Sequence, residues 1–113
     1  MKKLLYIFIF FVFSNILYAD NTQQTKIDDL LDQLKKSRNY EKSIEIESKI
    51  WSLWITHPTD ESLTNLLADG SFFMSQNNLE TAYDIFSKTI ELDPNWAEAW
   101  NKRATVLYLM GKY

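Results

Sequence analysis

Shifted by 34 residues, the second half of this sequence falls onto itself. Leu66 lands on Trp100, Gly70 on Ala104, Phe73 on Leu107, Asn77 on Gly111 and Leu79 on Tyr113. Each pair keeps its chemistry: apolar on apolar, small on small, turn-former on turn-former. A stride of this length marks one supersecondary unit that cannot bury its apolar face alone and does so by stacking on its neighbours.

The units are helical. Glycine occurs only at Gly70 and Gly111 and proline only at Pro58 and Pro94, which leaves room for long helices. The alternating pattern of strands is absent. Five helices are expected. The first, Gln24–Ser37, lines up Ile27, Leu30, Leu31 and Leu34. The second, Tyr40–Ile55, carries Ile44, Ile50, Trp51 and Trp54 and is ended by Pro58, because proline drives its predecessor out of the helical region. The third, Glu61–Gln76, is capped by Thr59 or Asp60. The fourth follows Asn78 as N-cap, and the fifth follows Asn95, with Glu98 reaching back or meeting the positive helix end. The links Asn77-Asn78 and Asp93-Pro94-Asn95 are short, so neighbouring helices run antiparallel. The fold class is all-α, a chain of stacked helical hairpins.

With its 34-residue period and two helices per unit, the chain resembles the tetratricopeptide-repeat family. Residues 63–96 are similar to a full repeat: Leu66, Gly70 and Phe73 match its first helix, Ala82 and Phe86 its second, and Pro94 its end. Residues 97–113 are similar to the first helix of a further repeat. Residues 24–62 resemble a degenerate repeat with five extra residues, Glu47 standing where the family has a large ring. The resemblance implies stacked hairpins of the α-solenoid kind and a protein or peptide partner. In this family the outward positions of the first helices line a groove. Here those positions are Thr64, Leu67, Ser71, Met74 and Ser75, then Glu98, Asn101, Thr105, Tyr108 and Leu109. Met74, Tyr108 and Leu109 are candidate apolar anchors. Asn101 and Thr105 are candidates for bonding a ligand backbone, with Ser75 beside them. For Leu67 and Met74, packing against the next helix is the equal alternative. The basic residues with which some members grip a terminal carboxylate are absent from the matching places.

The repeat-packing residues expected from the match are Leu66, Gly70, Phe73, Ala82, Phe86, Pro94, Trp100, Ala104 and Leu107. Trp100 is expected to be buried, with a gross gain of about 4–6 kcal/mol, and Trp96 to be partly exposed. Asp69 and Arg103 occupy equivalent places where the family has an apolar residue. They are expected either to pair with each other or to be solvated separately. The apolar stripe of the fifth helix is expected to rest on a further helix, from a longer array or from a partner, a second copy included.

The N-terminus reads differently. Lys2 and Lys3 precede the apolar run Leu4–Phe13, and Ala19 precedes the polar stretch from Asp20. This is the layout of a secretory signal peptide, residues 1–19. An uncleaved membrane anchor is the alternative. A spanning helix needs about 20 apolar residues, and Ser14 and Asn15 interrupt this stretch, whereas the bulk of Leu17 weakens the cleavage site. Cleavage after Ala19 implies export, to the periplasm in bacteria, with membrane contact only through the signal segment. Removing 19 of 113 residues leaves 94 (residues 20–113), enough for one core. Losing the two lysines takes the formal charge from −3 to −5, the wrong sign for nucleic acid.

Groups for catalysis are sparse. There is no cysteine and no glycine-rich phosphate loop, and His57 is the one histidine, read here as a loop residue at a helix end. A lone imidazole falls short of a zinc site. Acids such as Asp28, Asp32, Glu45 and Glu47 recur at helical steps beside lysines, as solvated faces do. No enzyme activity, metal or cofactor is expected.

Overall fold

In a computed structural model of the protein, residues 22–112 are described. The signal segment 1–19 and Tyr113 lie outside them. The described residues are all-α: α1 (22–36), α2 (Tyr40–Trp54), α3 (Glu61–Ser75), α4 (Leu79–Leu92) and α5 (Ala97–Leu109). They fall into two compact units, one ending at Leu53 and the other starting at Trp54.

The first unit is a hairpin of α1 and α2. Asn39 starts α2 by accepting the Lys42 amide on its side chain at 2.9 Å. The Ser43 hydroxyl donates to the Asn39 carbonyl, also at 2.9 Å. Gln23 Nε2, at the start of α1, donates to the carbonyl of Leu53 near the end of α2 at 2.8 Å, which sets the two helices antiparallel. Ile27, Ile46 and Ile50 are buried. The stripe expected on α2 is therefore corrected. Ile46 and Ile50, four apart, form its inner side, whereas Ile44, Trp51 and Trp54 are exposed. Period alone cannot choose between two apolar stripes on one helix, and α2 carries both.

In the second unit, Asp60 caps α3, its side chain accepting from the Ser62 amide at 2.9 Å and the Ser62 hydroxyl at 2.6 Å. Those two bonds, the hydroxyl's first, hold the Asp60 carboxyl below its ordinary 3.8. Asn78 caps α4 through the Thr81 amide. The expected Asn95 cap is absent: α5 has Trp96 at its N-cap with no side-chain bond. Asp93 builds this corner instead, its side chain accepting from the Asn95 amide at 3.0 Å while its own amide closes α4 onto Thr89. The aspartate competes successfully because its carboxylate sits two residues before the amide it takes, the geometry of an Asx turn.

The ends of α3 and α5 repeat bond for bond. After α3, the Asn78 amide donates to the Phe73 carbonyl and the Asn77 amide to Met74. After α5, the Lys112 amide donates to Leu107 and the Gly111 amide to Tyr108. Asn77 and Gly111 hold the left-handed conformation this stop requires, with φ of 58° and 72°. The two sites lie one stride of 34 residues apart in the sequence.

The core forms where these helices meet. Leu63 and Leu67 of α3, Ala82, Phe86 and Ile90 of α4, Trp96, and Ala99 and Val106 of α5 form one buried cluster, with Leu66, Phe73 and Met74 packed against it. Burying each large side chain contributes about 1.5–3 kcal/mol. The tightest joint is Gly70 against Phe86. A Cβ built on Gly70 would stand 2.5 Å from Phe86 Cε1, so only a residue without a side chain lets this ring in.

Candidate interaction surface

α3 and α5 open successive repeats and touch each other directly, while α4 packs on both. Of the ten groove positions, the structure removes two from solvent. Leu67 belongs to the core, and Glu98 is buried, its side chain 9% exposed. Met74 is half-buried against the core. Thr64 and Ser71 are half-buried with their hydroxyls engaged, Thr64 accepting from the His57 amide and Ser71 donating to the Leu67 carbonyl. Exposed are Ser75 on α3 and Asn101, Thr105, Tyr108 and Leu109 on α5. Tyr108 stands 69% exposed. The outward face is therefore polar on α3 and mixed on α5.

Glu98 does not reach back to cap its helix. Its Oε2 accepts from Asn101 Nδ2 at 3.3 Å, and its Oε1 lies 3.8 Å from Lys102 Nζ, buried and without a hydrogen bond. A carboxylate here gains from the positive start of α5 and from the lysine, which together offset its lost hydration. Asn101 is thereby oriented by Glu98, and Thr105 donates to the Asn101 carbonyl at 3.0 Å.

The packing residues of the two repeats are placed differently. Gly70, Ala82 and Phe86 are buried, and Leu66 and Phe73 are half-buried against the core. Their counterparts Trp100 and Ala104 are exposed, Leu107 is half-buried, and Pro94 is an exposed corner. The expectation for the tryptophans is thus inverted: Trp96 is 8% exposed and Trp100 46%. Trp96 turns into the core at the α4–α5 corner, whereas the position of Trp100 is sealed only when a further helix covers it, and none of the described helices does. Trp100 is still fixed, its indole N–H donating to the Pro94 carbonyl at 2.9 Å.

Pairing of Asp69 with Arg103 is likewise corrected. Asp69 is exposed, and Arg103 lies over the Trp100 ring at 4.8 Å and the Tyr83 ring at 5.8 Å, with Nη1 donating to Ser87 Oγ at 3.4 Å. Two aromatic faces close by hold the guanidinium there.

His57 was missed as more than a loop residue. Its ring stands edge-on to Trp96 with centroids 5.0 Å apart, and its side chain is 7% exposed. The signal available was that His57 and Asp93 each precede a proline at a corner between hairpins.

The chain is similar to a TPR repeat-containing protein of Rhizobium etli, with 33% identity over 98 residues. The chain is a tetratricopeptide-repeat homologue. The match takes in 84% of this chain and 46% of the relative, so the chain spans about half the length of the protein it matches. No family model and no solved structure matches it. The five helices, packed as hairpins, are those of tetratricopeptide units, and Gly70 against Phe86 is the small-on-large joint of such a repeat. Tetratricopeptide proteins are in general protein-interaction modules rather than catalysts.

Proposed function

We propose that this protein is an exported, non-catalytic interaction module that binds an extended peptide or a helix of an envelope partner on the face lined by α3 and α5. The observation that carries this reading is the exposed row Asn101, Thr105, Tyr108 and Leu109 on α5, beside α3. It joins amide and hydroxyl groups, which bond a peptide backbone, to a phenol and a leucine, which bury against an apolar side chain. Exposed aromatic anchors of this kind dominate protein interfaces. Export rests on the basic start, apolar run and Ala19 of the N-terminal segment. Ser14 and Asn15 favour cleavage over anchoring. No described helix is long and apolar enough to cross a membrane.

Photo-crosslinking tests the binding face. A benzophenone side chain at Asn101 or Thr105 captures a partner in the envelope fraction, and one at exposed Asp84 on α4 does not. Equal capture from all three positions, or capture only from Asp84, refutes the assignment. The intact mass of the protein recovered from that fraction tests export, with a chain starting at Asp20 expected and one retaining residues 1–19 refuting cleavage.

A further inference from the structure

We propose that the face lined by α3 and α5 selects an arginine side chain of the segment it binds. The guanidinium lies on the ring of Tyr108 and donates to Asn101 Oδ1 and Thr105 Oγ. This deepens the preceding reading and rests on it: there the ligand is a peptide segment, and here the side chain it sets on α5 is given a chemistry.

Hydrogen bonds within the face decide what it offers a ligand. The Thr105 hydroxyl donates to the Asn101 carbonyl at 3.0 Å, the Ser75 hydroxyl to Phe72 at 2.7 Å and the Ser71 hydroxyl to Leu67 at 2.8 Å. A carbonyl only accepts, so each hydroxyl has spent its one hydrogen and has lone pairs left. Asn101 is set in the same sense. Its Nδ2 donates to Glu98 Oε2 at 3.3 Å, and because an ionised carboxylate only accepts, the amide is fixed with Oδ1 turned away from Glu98. Glu98 is thus a positioning residue for Asn101.

A row of this polarity suits some groups better than others. A peptide backbone uses such acceptors through its N–H groups, but its carbonyls find a single amide N–H, that of Asn101. A carboxylate brings acceptors alone. A guanidinium brings five N–H donors and no acceptor, in a plane that stacks on an aromatic ring. Asn101, Thr105 and Tyr108 follow one another at steps of four and three along α5, on one side of the helix, and Tyr108 is 69% exposed.

Charge acts in the same direction. Residues 54–113 carry eight carboxylates against four bases, and α3 holds Glu61 and Asp69 with no base. Such a surface steers cationic segments toward it. Lys102, the base beside the row, lies 3.8 Å from Glu98 Oε1, which offsets it, and Arg103 is held over Trp100 and Tyr83.

A displayed library of random short peptides, selected on the immobilised full chain, is the probe. The recovered peptides are expected to share one arginine. In a synthetic copy, replacing that arginine by citrulline keeps the shape and removes the charge, and weakens binding about tenfold or more. Thr105→Val in the protein weakens it as well, and Thr105→Ser preserves it. Glu98→Gln, confirmed as folded by far-UV dichroism, frees the Asn101 amide to turn and narrows the preference for arginine over citrulline. Peptides that share no arginine, or bind equally well with citrulline, overturn the proposal. If Thr105→Val still weakens such peptides, the preceding reading stands. Recovery of no peptide, or of peptides indifferent to Thr105→Val, overturns both.

Discussion

His57 Nε2 lies 2.7 Å from Asp93 Oδ2, a bond spanning 36 residues of sequence. The other ring nitrogen, Nδ1, accepts from the amides of Asp60 at 2.9 Å and Thr59 at 3.2 Å. A nitrogen that accepts two N–H groups carries no proton, so the proton is on Nε2 and is donated to Asp93. One imidazole thus caps the entry to α3 and ties it to the corner between α4 and α5.

Replacing His57 by alanine removes its hydrogen bonds and opens the site beside Trp96. The amides left behind are on exposed residues and turn to water, so the two shorter bonds, to Asp93 and Asp60, count at their net value of about 0.5–1.5 kcal/mol each, about 1–3 kcal/mol together. Urea unfolding of His57→Ala is expected to show a loss in that range. Asp93→Ala is expected to cost less, because Asp93 is the more exposed partner. In the double variant the losses are less than additive.

At Gly70 two effects oppose. Alanine is favoured in a helix by up to ~1 kcal/mol over glycine, but its Cβ falls 2.5 Å from a ring that is fully buried. Overpacking of this kind costs about 1–3 kcal/mol, so Gly70→Ala is expected to destabilise by about 1 kcal/mol net. Placed on a Phe86→Leu background, the same change is expected to become neutral or favourable, and a double-mutant cycle measures the difference.

The two tryptophans of the α5 region separate cleanly. Trp96→Ala empties a core position, and such truncations cost about 3–5 kcal/mol, a large share of the ~5–15 kcal/mol that holds a domain together. Trp100→Ala is expected to cost well under half as much. On Trp51→Phe, Trp54→Phe backgrounds, acrylamide quenches the fluorescence of Trp100 strongly and that of Trp96 weakly.

The Asp60 cap gives a pH dependence whose direction is fixed. Its carboxyl is held below the ordinary value by the Ser62 hydroxyl and amide, so its contribution is complete above about pH 4 and is lost as pH falls through the lowered folded value. Asp60→Asn keeps a capping oxygen and drops the charge. The gap in melting temperature between the two proteins is expected to narrow as pH falls from about 5 to about 2. A gap that widens contradicts the assignment.

Much of this architecture could be read in the residues. The helices lie close to the expected bounds because their stops are local: Pro58, Asn77 and Gly111 act on the next few bonds and need no distant partner. Gly70 and Phe86 were legible through the resemblance to the repeat pattern, which places a small residue in the first helix and a ring in the second. Burial at Trp96 and Trp100 was not, because it depends on which neighbour covers each position, and a periodic pattern states that a residue is apolar without stating that it is covered. For Arg103 and Asp69 the equivalent places left pairing and separate solvation open, and neither describes Arg103. Arg103 lies over two aromatic rings, and Asp69 is exposed. Of the outward positions named from the resemblance, Asn101, Thr105, Tyr108 and Leu109 on α5 are exposed, while Glu98 on α5 and Leu67 on α3 are buried.

Asn77 and Gly111 stop their helices with one and the same twist, though their side chains differ. What is copied between the two is a count of residues rather than a set of identities. Losing one residue between Gly70 and Asn77 would turn the exit from α3 by about 100° and carry Phe86 off its glycine, however mild the residue lost. In this molecule, spelling is negotiable at many places, but metre is not.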